Sequence, residues 1–189
     1  MPWPESRKQE TRRKILKSAV TLFAKRGFNS VSLGDVMKDA KLTHGAFYAH
    51  FNSKQELYKE AVYAATEDSP LAEILRKSEG ALSVDKIVST YLSQDHVDQK
   101  FSPCPLAAFA TDTPNQNGET KDAYTHVFQG MIDILESKTD GSITDRQSAL
   151  SLAALLIGGV VVSRALNDQE TIDELLAACI SKAPQLLRQ

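Results

Sequence analysis

The 189-residue chain is poor in cysteine, glycine and proline, and each scarcity excludes something. Two cysteines are too few for a disulfide scaffold and fit a reducing compartment, with a single pair left open. Nine glycines and seven prolines argue against a β-rich, turn-dense protein and against long disordered stretches. No apolar stretch stands behind the charges of the N-terminal Met-Pro-Trp-Pro-Glu-Ser-Arg-Lys, so a signal peptide is not expected. The longest apolar run, Leu150 to Val162, is interrupted by Ser151, and at 13 residues it falls short of the ~17–25 that span a bilayer. There is no G-x-S-x-G, H-E-x-x-H, P-loop or glycine-rich dinucleotide turn. The expectation is a cytoplasmic protein that is not an enzyme, with no cofactor, no metal and no membrane partner.

A net charge of −2 offers no sign of nucleic acid as a partner. That total is an average over two unlike parts. Residues 1–60 carry 12 Lys+Arg against 6 Asp+Glu, a net of +6, and residues 61–189 carry 10 against 18, a net of −8. A basic front on an acidic body points to an anion-binding module. The competing reading is ordinary drift of charge along a chain.

Helical periodicity recurs throughout, and the fold class read from it is all-α, with about nine helices. Ile15, Leu16, Ala19, Val20, Leu22 and Phe23 form one apolar stripe, stopped by Gly27. Ser32 with Asp35 resembles a capping box for a short helix to about Ala40. Thr43 is placed to cap a second short helix to about Phe51, and Ser53 with Glu56 to open a third. Ser69-Pro70 should break or kink that third helix. Further helices are expected from Val84 to Leu92, Tyr124 to Leu135 and Thr144 to Leu166, and a last one capped by Thr171 with Glu174. The stretches Gln94–Pro103 and Pro114–Gly118 read as irregular.

Two short helices joined by a tight Lys41-Leu42 turn, after a longer helix, form the layout of a helix-turn-helix. In Thr43-His44-Gly45-Ala46-Phe47-Tyr48-Ala49-His50-Phe51, Phe47 and Phe51 can anchor inward and leave Thr43, His44, Tyr48 and His50 outward. Gly45 is costly in a helix, by ~1 kcal/mol relative to Ala, and suits a close approach of another surface. Lys54 adds a cation beside the backbone N–H groups of the next helix start. His44 and His50 lie on opposite faces of a helix and make no metal pair. The stretch from Thr11 to Tyr58 resembles the TetR family of bacterial transcriptional regulators. The resemblance is carried by Ile15-Leu16, Leu22-Phe23-Ala24, Gly27-Phe28, Val31-Ser32-Leu33 and Leu42 to Phe51, followed by Ser53-Lys54-Gln55-Glu56-Leu57. It implies a three-helix DNA-binding head, a helical body that takes a small effector, and a homodimer on an operator in double-stranded DNA. It also implies phosphate contacts for Ser32, Thr43, Tyr48, His50 and Lys54 and base contacts for His44 and Gly45. Tyr48 can equally be a packing residue and His50 a plain exposed histidine. Arg7, Lys8, Arg12, Arg13 and Lys14 either touch DNA or solvate the first helix. The head is read as residues 1–52 and the effector-binding, dimerising body as 53–189.

The helix from Thr144 to Leu166 is apolar nearly all round and needs cover on two sides. One side fits its own core; the other fits a second subunit. The expected dimer residues are Leu152, Leu155, Leu156, Gly159 and Val162, with Leu175, Leu176 and Cys179 of the last helix. A lining for an apolar effector pocket is expected from Tyr91, His96, Phe101, Cys104, Phe109, Tyr124, His126, Phe128 and Met131. Cys104 sits at a helix start, where the dipole can lower a thiol pKa and make a sensor of electrophiles or oxidants. The plainer reading is a structural cysteine between prolines. Two further alternatives are a thiol-dependent enzyme pairing Cys104 with His96 or His126, and a helical interaction protein whose head binds no DNA.

Overall fold

The computed structural model describes residues 5–100 and 102–187; Phe101, an expected pocket residue, lies outside them. Among the described residues the protein is all-α, with ten α-helices, three short 3-10 segments and one isolated bridge between Leu82 and Thr139. Helix α1 (Glu5–Arg26) buries Ile15, Ala19 and Phe23 and stops where Gly27 takes a φ of +75°. Helix α2 (Leu33–Asp39) starts at the Ser32–Asp35 capping box. A 3-10 turn, His44–Ala49, replaces the expected α-helical second element. Helix α3 (Lys54–Ala64) is capped by Ser53, but its Glu56 carboxylate reaches back to the N–H of Asn52, so the expected box is only half formed.

The body follows. Pro70 opens helix α4 (Pro70–Lys77) at its first turn, where a missing donor costs nothing, with Ser69 as the cap. Then come α5 (Val84–Tyr91), α6 (Gln94–Val97), α7 (Pro105–Ala108), a 3-10 segment at Thr113–Asn115, and α8 (Gly118–Lys138). Helices α9 (Arg146–Ala165) and α10 (Gln169–Lys182) close the fold, with a 3-10 segment at Ala183–Leu187. Asp168, not Thr171, caps α10, and Thr171 is the residue whose N–H the cap accepts. A carboxylate three residues upstream outcompetes a hydroxyl already inside the helix.

Two apolar clusters hold the chain together. The first joins α1, α2 and the 3-10 turn to Leu57, Tyr58, Ala61, Val62 and Ala65 of α3 and its end. It also takes in Phe109 and Ala123, so the head's core runs past the expected boundary at residue 52 and into the body. The second lies among α5 and α7 to α10. Tyr124 and Val127 of α8 pack against both.

Helix α9 has 20 residues and a mean hydropathy of 1.8, long and apolar enough by length and composition to cross a membrane. Leu152, Ala153, Leu156 and Val160 are instead fully buried against the rest of the body. Its two glycines face different ways. A Cβ on Gly159 would lie 2.8 Å from Leu92 Cδ2 and 3.4 Å from Cys179 Sγ, so this glycine seats α9 against the end of α5 and against α10. Gly158 meets nothing within 4 Å. Gly159→Val should therefore lower the stability to urea by about 1–3 kcal/mol through overpacking. Gly158→Ala should not be destabilising at all, and denaturation midpoints of the two variants check the contrast.

Candidate functional site

The α2–turn–3-10 unit is built by local bonds. Ser32 Oγ accepts from the Asp35 N–H at 3.1 Å and donates to the Asp35 carboxylate at 2.7 Å. The Ser32 hydroxyl and the Ser32 backbone N–H, which donates to the same carboxylate at 2.8 Å, hold the Asp35 carboxyl below its usual range. Helix α2 ends as Ala40 N–H donates to Val36 O, and Lys41 turns the chain with a φ of 57°, in the left-handed region. Thr43 then has an extended backbone and makes no side-chain cap bond, which leaves its exposed hydroxyl free.

Phe47 and Phe51 are buried as expected, with ring centroids 5.7 Å apart. They fix the turn and present Thr43, His44, Gly45, Tyr48 and Ala49 to solvent. Tyr48 is 62% exposed, resting edge-on against Phe47 and His44, so the packing alternative for it falls away. A Cβ on Gly45 would meet nothing within 4 Å, so no internal contact calls for a glycine there. His50 differs from expectation. It is half-buried with Nδ1 sealed from water and unpartnered. Burial, then the charges of Lys8 and Arg12, hold its pKa below the usual histidine range. With about three residues per turn, the 3-10 winding carries position 50 round toward the side of Phe47.

Lys54 starts α3 with Nζ 4.2 Å above the centre of the Phe28 ring, and burial holds its pKa below the usual lysine value. The ring steadies the stem without neutralising the charge. Arg12 is structural: it pairs with Glu60 at 3.0 Å and lies over the Phe51 ring. Lys14 pairs with Glu10. Arg7, Lys8 and Arg13 are exposed along α1.

A cavity of about 300 Å³ opens in the body between α4, α7, α8 and the ends of α3 and α5. Tyr91, Cys104, His126 and Met131 line it, as the sequence suggested. The other expected residues that are described, His96, Phe109, Tyr124 and Phe128, do not. Phe109 turns to the head core and meets Tyr58 edge-on at 5.3 Å. Tyr124 is spent on packing, its hydroxyl donating to Leu106 O at 2.7 Å. Phe128 packs against the body core. His96 is buried behind Tyr91, with Nδ1 2.6 Å from Tyr91 O, and burial pushes its pKa down to about 4. The unexpected lining comes from the end of α3 (Tyr63), from α4 (Leu71 and Leu75), whose start the sequence shows only as a break at Pro70, and from α8 (Ile134).

Cys104 is fully buried, with Sγ 3.1 Å from the Tyr91 hydroxyl. Burial raises its thiol pKa despite opposing bonds from Tyr91 and the N–H groups of Ala107 and Leu106. The expected lowering by the helix start is therefore reversed, since α7 is only four residues long and desolvation is the larger effect. Among the described residues no histidine is hydrogen-bonded to the thiol.

On the far side, Leu152, Leu156 and Gly159 of α9 and Leu176 of α10 are buried within the subunit and offer nothing to a partner. Leu155, Leu175 and Cys179 are half-buried, and Val162 is exposed. The open apolar stripe of α9 is Leu150, Ala154, Gly158, Val162 and Ala165, one helical position round from the expected face.

One segment ties cavity to head. Cys104, Pro105 and Leu106 line the cavity, Phe109 packs under Tyr58, and the Asp112 carboxylate accepts from the Phe28 N–H at 2.7 Å. A Cβ on Gly27 would lie 3.0 Å from that carboxylate.

The model of the bacterial regulatory proteins, tetR family, matches residues 15–61, from within α1 to within α3. The chain is 48% identical over 52 residues to the HTH-type transcriptional regulator AcrR of Shigella flexneri, covering 28% of this chain and 24% of that one. It is 33% identical over 88 residues to the regulator UidR of Escherichia coli K12, covering 47% and 44%. The fold as a whole matches solved structures. Reduced E. coli NemR superposes with a TM-score of 0.70 at 24% identity over 90% of this chain and 95% of that one. A TetR regulator from Chloroflexus aurantiacus gives 0.71 at 19% over 97% of each. What the chain shares with the tetR family is the segment 15–61; beyond it the likeness is one of fold. The curated relatives are matched over less than half their length, and the full-length structural likeness, at under 25% identity, concerns the fold alone. Asp112→Ala should cost about 1–3 kcal/mol in a denaturant titration, because it leaves the Phe28 N–H without its acceptor.

Proposed function

We propose that the protein is a DNA-binding transcriptional regulator, a repressor acting in the cytoplasm as a homodimer on a pseudo-palindromic operator. The observation that carries this is the solvent face of the 3-10 turn. Thr43, His44, Gly45 and Tyr48 stand together on two buried phenylalanines, beside the unpaired cation of Lys54. That face has the size of a major-groove reader, with His44 and Gly45 toward base edges and Thr43, Tyr48 and Lys54 toward phosphates. Ser32 supports a phosphate through the start of α2 rather than through a hydroxyl already bonded to Asp35. His50 serves the turn's packing more than the contact.

The open stripe of α9 supports the homodimer, since a 20-residue helix does not leave a row of apolar side chains to water without cost. Two heads would then meet half-sites ~34–36 Å apart, or a multiple of that. The cavity is the effector site. An effector that shifts α7 moves Phe109 and Asp112, and through them Tyr58 and the Gly27–Phe28 turn. It releases DNA only if it favours a head spacing that does not fit the operator. Burial of Cys104 as a thiol favours a molecule that occupies the cavity over a reactive sensor.

Fluorescence anisotropy with DNA from the promoter beside its own coding sequence tests the reading. Lys54→Ala should weaken binding to all sequences and reduce the salt slope by about one. His44→Ala should alter sequence preference. Gly45→Ala should keep its melting temperature while losing about tenfold in affinity. Unchanged affinity of Lys54→Ala at several salt concentrations would sink the contact assignment.

A further inference from the structure

Behind the Tyr91 wall of the cavity stands a positive charge that no carboxylate among the described residues neutralises. Arg164, near the end of α9, donates through Nε to Val97 O at 3.2 Å and through Nη2 to His96 O at 2.7 Å. Those carbonyls orient the guanidinium and leave its charge whole. Nη1 is buried with no partner, and among the described residues no carboxylate pairs with Arg164. An arginine in such a place stays charged rather than giving up its proton, and a buried cation without a counter-charge is costly. The His96 that it holds meets the Tyr91 ring edge-on at 4.6 Å, so the guanidinium stands one residue behind the cavity wall, where burial raises the pKa of Tyr91 and Cys104 and the Arg164 charge opposes that rise.

The wall itself offers donors. The Tyr91 hydroxyl and the Cys104 thiol share one contact of 3.1 Å but carry two hydrogens. Whichever group donates, the hydrogen of the other is left for a ligand. No Asp or Glu lines the cavity, and Leu71, Leu75, Val127, Met131 and Ile134 make the rest of it apolar. The bare acceptor nearby, His96 Nε2, lies outside the lining, with its ring edge-on to Tyr91 at 4.6 Å. We propose that the cavity takes a small carboxylic acid with an apolar body, its carboxylate at the Tyr91–Cys104 end in the field of Arg164. A neutral or cationic molecule of the same shape would leave the charge unanswered. The inference rests on the reading of this cavity as the effector site and gives that effector its chemical class.

Calorimetry on the full chain at pH 7 tests it with matched probes: octanoate, 1-octanol and octylamine, and 3-phenylpropionate against 3-phenylpropanol. At least one acid should bind tenfold or more tightly than its alcohol, and the amine should bind more weakly than either. Arg164→Met should bring that acid down to the level of the alcohol, whose own affinity stays within about twofold. Arg164→Lys should keep part of the preference. Equal binding of acid and alcohol, a preference that survives Arg164→Met, or no binding of either acid overturns the proposal. If helical circular dichroism shows Arg164→Met unfolded, Arg164→Gln and the wild-type ranking decide. Release of promoter DNA is measured separately. An acid that binds in the expected order without releasing DNA upholds the anion subsite and overturns the effector reading.

Discussion

Tyr58 is the joint on which head and body are assembled. It is fully buried on α3, and three phenylalanines meet its ring edge-on: Phe23 at 5.0 Å, Phe28 at 5.1 Å and Phe109 at 5.3 Å. One comes from α1, one from the turn after it and one from the segment beyond α7. Edge-to-face pairs are directional, each worth about 0.5–1.5 kcal/mol beyond burial, so the cluster sets angles as well as contacts. Burial and the nearby Asp112 charge keep the Tyr58 hydroxyl protonated far above the usual range. A buried group this dependent on its neighbours makes the joint sensitive to small displacements of Phe109 and Asp112.

That joint explains why the head does not end where its motif ends. The residues that look outward, Thr43 to Tyr48, need Phe47 and Phe51 beneath them, and those rings need α1 and α3. Helix α3 in turn needs Phe109 and Ala123 from the body. The outward face of the 3-10 turn is thereby held by a core of both parts. The +6 charge of the first 60 residues sits on this platform, partly tied down as in Arg12–Glu60 and partly left open as in Lys54.

Much of this was legible from residue spacing, because the head is organised by contacts close in sequence. The Ser32–Asp35 box, the Gly27 stop and the inward pair Phe47–Phe51 are all four residues or fewer in reach. What spacing did not carry was the choice between α and 3-10 winding, which turned His50 inward. It also did not carry contacts across the chain. Phe109, Tyr124 and Phe128 look like pocket aromatics by composition, yet each is drawn off by a partner many residues away. Cys104 shows the same limit for electrostatics: a helix start is visible in Pro105, but the desolvation that outweighs it depends on everything packed around the thiol.

Helix α9 shows how one apolar run can serve two surfaces. Read as a pattern it is hydrophobic on every side, and its glycine pair suggests a single close crossing. The crossing is split. Gly159 admits Leu92 and Cys179 from within the subunit, while Gly158 lies open on the stripe with Leu150, Ala154 and Val162. The inner contact seats α9, and its C-terminal turn then carries Arg164 to the carbonyls of His96 and Val97 beside the cavity. A partner packed on the outer stripe would press on the same helix that holds this cation.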